Sequence, residues 1–317
     1  MGRLRSFAWT TLGVNVGVIL LGALVRATGS GAGCGRSWPT CQGSVLPELE
    51  GATAVEFAHR AASGVALILV AVLIWRVFRA VPAGHRARRG AVVSGIAILG
   101  EAAIGAVIVL YEWVADDASV ARAISVPLHL VNTLVLLAGL TLTIFWLSGG
   151  GRLRFRSRPE LRFAIVAVGV GMLLIGATGA VTALADTLFP KDFVSLDLTG
   201  EEHFLTNLRI IHPVVSVAIG VFAALWARWH ALPAGGRTAV AGSLVIGLVA
   251  LQFVGGVVNI LLGTPVWLSL VHLLLADLLW ISWVWMAAEL LQAPGMVESP
   301  DALASAGDGS EPRGRRR

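Results

Sequence analysis

Apolar runs of about 20 residues, the length needed to cross a bilayer's hydrocarbon core, follow one another along this chain with only short polar gaps between them. Eight runs can be marked, at about 7–26, 57–78, 91–111, 123–147, 163–185, 209–229, 238–262 and 267–291, and they predict eight transmembrane helices. No stretch remains for a soluble domain. The first run follows Met1-Gly2-Arg3-Leu4-Arg5 as a secretory signal would, but no A-x-A-like cleavage site comes after it, so it reads as a true span.

The pattern repeats. Glu101-Ala-Ala-Ile-Gly105-Ala-Val107 in the third run matches Gln252-Phe-Val-Gly-Gly256-Val-Val258 in the seventh. His59 and His212 stand at corresponding ends of the second and sixth runs, and His129 and His272 at corresponding ends of the fourth and eighth. The expected fold is therefore an all-α integral membrane protein of two tandem pseudo-symmetric four-helix bundles, 1–150 and 151–292, followed by a disordered basic tail, 293–317. With an even number of spans per half, both bundles keep the same membrane orientation.

Composition agrees with this reading: 56% of residues are hydrophobic and 14% charged, and the mean hydropathy of +0.80 excludes a water-soluble fold. The net charge of +5 is unevenly spread. Arg3, Arg5, Arg76, Arg79, Arg86, Arg88, Arg89, Arg152, Arg154, Arg156, Arg158, Arg162, Arg228, Arg237 and the closing Arg313, Arg315, Arg316 and Arg317 fall on one side. Glu48, Glu50, Glu112, Asp116, Asp117, Asp192, Asp197, Glu201 and Glu202 fall on the other. By the positive-inside rule the basic side and both termini are cytoplasmic, in a multi-pass protein of the cell membrane. The same rule accounts for the pI near 10.4 without a nucleic-acid partner; the partner of the basic segments is membrane lipid.

Of seven histidines, His85 and His230 fall in basic loops and His203 in an acidic one, where a solvated side chain needs no further role. His59, His129, His212 and His272 sit where apolar helix begins, two per bundle and all toward one membrane face. A lone histidine there is commonly hydrogen-bonded to a neighbouring helix, but packing alone does not call for the same pair in two bundles. Ionisable residues inside a membrane are functional candidates by default, and paired imidazoles are axial ligands of heme iron. Zinc is the rival metal, yet each pair brings two nitrogens and no third ligand. Small residues such as Gly64, Gly95, Gly100, Gly105, Gly171, Gly176, Gly247, Gly255 and Gly256 leave room for a flat ring or for close helix packing.

The most specific stretch lies between the first two runs: Val25-Arg26-Ala27-Thr28-Gly29-Ser30-Gly31, then Cys34, Trp38-Pro39 and Cys41, then Glu56-Phe57-Ala58-His59-Arg60. In these motifs, and in its span number and histidine positions, the chain resembles the heme A synthase family over nearly its whole length. It departs from the family pattern at Gly35-Arg36-Ser37, where Pro-Asp is usual. The resemblance implies oxidation of a ring methyl of heme o to the formyl group of heme a. It implies that His59 and His129 attend the substrate heme, that His212 and His272 ligate a resident heme b, and that Glu56 is the catalytic carboxylate.

Residue chemistry is compatible with these roles. Glu56 and His59, at i and i+3, share one helix face, and a half-buried carboxylate there can act as a base or stabilise developing positive charge; a glutamate at a helix start is also favoured by the helix dipole. Arg26, Arg60 and Arg209 are candidates for heme propionates or for snorkelling to the interface. Cys34 and Cys41, the only cysteines, lie on the outer, oxidising side, where a disulfide is expected over two free thiols. Glu101, Gln252 and Asp277 within spans call for interior partners or a proton route. Expected partners are heme o, a heme o synthase (farnesyltransferase) and cytochrome oxidase assembly factors, with a homo-oligomer left open. The competing reading is a diheme b-type cytochrome exchanging electrons with quinone, disfavoured because all four histidines lie toward one face. A transporter explains neither the histidine pairs nor the cysteine loop.

Overall fold

A computed structural model of the chain describes residues 1–154, 159–189 and 203–292. The expectations for Arg156, Arg158, Asp192, Asp197, Glu201, Glu202 and the basic tail fall outside these residues. Among the described residues eight long helices dominate: α1 (Gly2–Ala27), α2 (Gly51–Ala80), α3 (Ala87–Leu110), α4 (Val120–Leu147), α5 (Pro159–Leu188), α7 (Ile211–His230), α8 (Gly236–Leu261) and α9 (Val266–Leu291); a short helix, α6 (Phe204–Asn207), precedes α7. All eight are long and apolar enough to span a membrane, so the chain is a multi-pass membrane protein.

Several helices overrun the limits set by hydropathy, and this corrects the placement of the site. Hydropathy marks the part of a helix immersed in hydrocarbon, whereas the backbone ladder continues into the polar interface. Helix α2 begins at Gly51 and α4 at Val120, so Glu56, His59 and His129 lie well inside helices and not at their starts. Local chemistry fixes the true ends. Ser119 caps α4 by accepting the Arg122 N–H at 3.2 Å. Thr28 closes α1 by donating to the Leu24 carbonyl, and Gly29 follows at φ 65°.

The packing forms two rings. Helix α1 packs on α2, α2 on α3, α3 on α4 and α4 back on α1; α5 packs on α7, α7 on α8, α8 on α9 and α9 on α5. Helix α4 also packs against α5 and α9, and is the most deeply buried span. Leu134, Leu137, Leu140 and Ile144 form its core face. The halves are joined by polar contacts as well: the Trp280 indole donates to the Leu134 carbonyl at 2.7 Å, and Arg26 donates to the Ala183 carbonyl and to Thr187.

Candidate functional site

A cavity of about 1480 Å³ runs between the rings, with His59, His129, His212 and His272 all on its wall. It exceeds the usual 300–1,000 Å³ or so of a small-molecule pocket. Each histidine meets a glycine of the preceding long helix. A Cβ built on Gly22 would lie 2.9 Å from His59 Cε1, one on Gly179 2.9 Å from His212 Cε1, one on Gly256 3.4 Å from His272 Cε1, and one on Gly105 4.0 Å from His129 Cε1. Of these four glycines the sequence reading singled out Gly105 and Gly256. Gly22 and Gly179 were identifiable only once the helix rotations were known.

In the second ring, the His212 and His272 ring centroids are 6.4 Å apart and their planes cross at 84°. Two imidazoles binding one metal from opposite sides, each at about 2 Å through nitrogen, place their centroids about 6 Å apart. The His212 Nδ1 is 3.2 Å from the Ile175 carbonyl, a contact that orients the ring and directs Nε2 elsewhere, as metal-ligating histidines are oriented. Two imidazoles at this spacing are a donor set that fits a heme iron. The first ring brings His59 and His129 to the same cavity, with Glu101 Oε2 3.0 Å from His129 Nδ1.

Glu56 also reaches the cavity, but its surroundings differ from the half-buried helix-start position expected for it. It is 3% exposed. One carboxylate oxygen accepts the Cys34 N–H at 2.7 Å, and the other accepts from Arg60, whose guanidinium also donates to the Ser37 and Thr40 carbonyls. These partners explain its burial better than the helix dipole does. Cys34 and Cys41 are disulfide-bonded and buried. The loop they close is thus tied through Arg60 and Glu56 to the helix that carries His59. Gly33 permits the tie, since a Cβ there would sit 2.4 Å from the Ala52 carbonyl carbon.

Arg26, Arg60 and Arg209 all line the cavity, and each is anchored to protein oxygens; Arg209 Nε lies 3.0 Å from Asp186. Arg122, not singled out from sequence, lines the cavity too and is 3% exposed, held by the Ala115 and Asp117 carbonyls. Its position one turn after a serine N-cap, on the acidic side of the span, was the available signal. Gln252 donates to the His272 carbonyl at 3.0 Å. Asp277 is fully buried at the cavity wall, and neither of its oxygens has a hydrogen-bond partner among the described residues. His85, His203 and His230 lie away from the cavity wall.

Comparison with known proteins agrees with this architecture. Residues 5–284 match the family model COX15-CtaA, described as cytochrome oxidase assembly protein. A protein of Thermus thermophilus named protoheme IX farnesyltransferase is 42% identical over 297 residues, covering 92% of this chain but 49% of the relative. The chain thus spans about half the length of the Thermus protein it matches. A heme A synthase of Lysinibacillus sphaericus is 26% identical over 287 residues, covering 87% of this chain and 92% of that one. One of Geobacillus thermodenitrificans is 32% identical over 179 residues, or 56% of this chain and 55% of the relative. With eight spans, histidines from both rings on one cavity and a family match over most of its length, the chain belongs to the COX15-CtaA family of cytochrome oxidase assembly proteins.

Proposed function

We propose that the protein is a heme A synthase, oxidising a ring methyl of heme o to the formyl group of heme a. The observation that carries this reading is the placement of all four histidines on one cavity, with the His212 and His272 rings 6.4 Å apart. The family match and the relatives named heme A synthase support it. In this proposal His59 and His129 hold the substrate heme in the first bundle, 1–150. His212 and His272 would hold a resident heme b in the second, 151–292. A bound heme b supplies one-electron redox chemistry.

The chain's own residues do the rest. Arg26, Arg122 and Arg209 set positive charge along the cavity wall, where it can balance anionic propionates. Glu56 is the acid–base residue: its carboxylate faces the same cavity, and Arg60 and the Cys34 N–H hold it in one orientation. The mostly apolar wall of the cavity between the two helix rings offers few groups to hold water beside the reacting methyl. The arginine-rich loops face the cytoplasm and the disulfide loop faces outward across the cell membrane, following the charge distribution.

The farnesyltransferase name of the Thermus relative belongs to a protein about half of which has no counterpart in this match. We take it as pointing to the reaction that supplies the substrate, so the proposed partner is a farnesyltransferase that delivers heme o. The decisive experiment expresses this chain beside such an enzyme and analyses the extracted hemes. Heme a or its hydroxylated precursor is the expected product. If only hemes b and o accumulate beside a folded, heme-loaded protein, the diheme cytochrome reading replaces this one.

A further inference from the structure

The two rings repeat their histidines but not what stands behind them. In the first ring, Glu101 of α3 places Oε2 3.0 Å from His129 Nδ1. Three residues of α4, His129, Asn132 and Thr133, occupy i, i+3 and i+4 and therefore share one face, and all three converge on this carboxylate. Thr133 Oγ1 donates to Glu101 Oε2 at 2.9 Å, and the Asn132 amide donates to Oε1. The same amide donates to the Ala97 carbonyl at 2.8 Å, so Asn132 is fixed from two sides. Gly100 provides its space, since a Cβ there would lie 2.9 Å from Asn132 Oδ1.

The second ring has none of this. Gln252, which the sequence repeat aligns with Glu101, donates to the His272 backbone carbonyl, and its side-chain oxygen has no partner among the described residues. The positions three and four after His272 are Leu275 and Ala276, with no polar group to offer. His212 Nδ1 meets a backbone carbonyl, 3.2 Å away. Among the described residues, only His129 of these four rings has a carboxylate within ion-pair distance of Nδ1, a 3.0 Å contact that lacks hydrogen-bond geometry, and that carboxylate is held by two further side chains.

We infer that Glu101 is a positioning residue for His129: it fixes the ring with Nε2 toward the cavity and strengthens it as a donor to the iron of the substrate heme, while Gln252 leaves the resident site without this support. The inference rests on the assignment of the first ring to substrate. A carboxylate set against a histidine's second nitrogen makes the ring a more basic, better-held ligand than a neutral group does. Axial-ligand strength is in turn one of the levers that set an iron's redox preference. A stronger donor favours the ferric form, so the two sites would differ in potential despite their matching histidines.

The test is a spectroscopic redox titration of the purified full-length protein carrying its resident heme and supplied with heme o. Two components are expected in the unmodified protein, one lost in His129→Ala and the other in His272→Ala. Glu101→Gln keeps the size of the side chain and an acceptor for Thr133. It should shift the first component alone toward the ferrous form, by about tenfold in the ferric-to-ferrous preference, equivalent to roughly 59 mV for one electron. Thr133→Val, which loosens the carboxylate without removing it, should shift the same component in the same direction by less, and serves if Glu101→Gln binds no heme o. A His129-dependent component whose potential is unmoved by both substitutions overturns the inference. If His129→Ala removes neither component, the failure lies in the assignment of the first ring to substrate.

Discussion

Gly179 has no side chain where the His212 ring lies, and a methyl group there would come within 2.9 Å of Cε1. An alanine at this position forces the imidazole to turn or α7 to back away from α5, either of which moves a proposed ligand off axis. Gly179→Ala is expected to lower b-type absorbance per folded protein severalfold, and an unchanged spectrum would separate the ring's placement from heme binding. The Glu56 carboxylate makes a second test at this scale. Glu56→Gln keeps an oxygen for the Cys34 N–H but removes the charge that meets Arg60. Loss of acid–base or electrostatic help is expected to cut the rate by about two to four powers of ten while resident heme is retained. Near-normal heme a yield would leave Glu56 only its structural ties, and joint loss of activity and b heme would make it a folding residue. Sequence pattern made the histidine pairs readable, because a repeat needs only spacing. It could not pair Glu101 with His129 or Gly179 with His212, since such contacts depend on how each helix is rotated about its axis.

At the scale of elements, the loop between α1 and α2 is held at three points: the Cys34–Cys41 bond, the Glu56 and Arg60 contacts, and the Thr53 hydroxyl, which donates to the Gly33 carbonyl at 2.8 Å. Removing a cross-link over so short a loop is expected to cost about 2–3 kcal/mol in the chain-entropy view. Cys34→Ser with Cys41→Ser should lower the thermal midpoint of the purified protein, and an unchanged midpoint would mean that the hydrogen bonds hold the loop unaided. Both cysteines should resist thiol labelling until a reductant is added. That helices would span at these places was legible from the apolar runs alone. Their true ends were not, since Gly51 and Val120 begin helices in polar or mixed sequence where hydropathy is silent. The loop's attachment to Glu56 was hidden for a related reason: it runs between a backbone N–H and a side chain 22 residues apart.

At the scale of the whole molecule, two rings share one cavity, so their contributions to binding should be separable by substitution. His212→Ala or His272→Ala is expected to abolish the resident b-type absorbance, whereas His129→Ala should spare it and weaken heme o binding. If both second-ring variants fold with full b-heme content, the assignment of the rings is wrong. The repeat of the histidines was visible in the sequence, but the degree to which the rings lean on each other was not. That dependence centres on α4, which belongs to the first ring by connection yet buries its flank against α5 and α9 and gives the Leu134 carbonyl to Trp280. A nascent chain that has inserted only α1 to α4 thus presents lipid with a surface built to meet protein, and membrane helices associate through just such packing and hydrogen bonds. Assembly therefore has an order built into it: the outer flank of α4 meets its partners only once α5 and α9 have entered the bilayer.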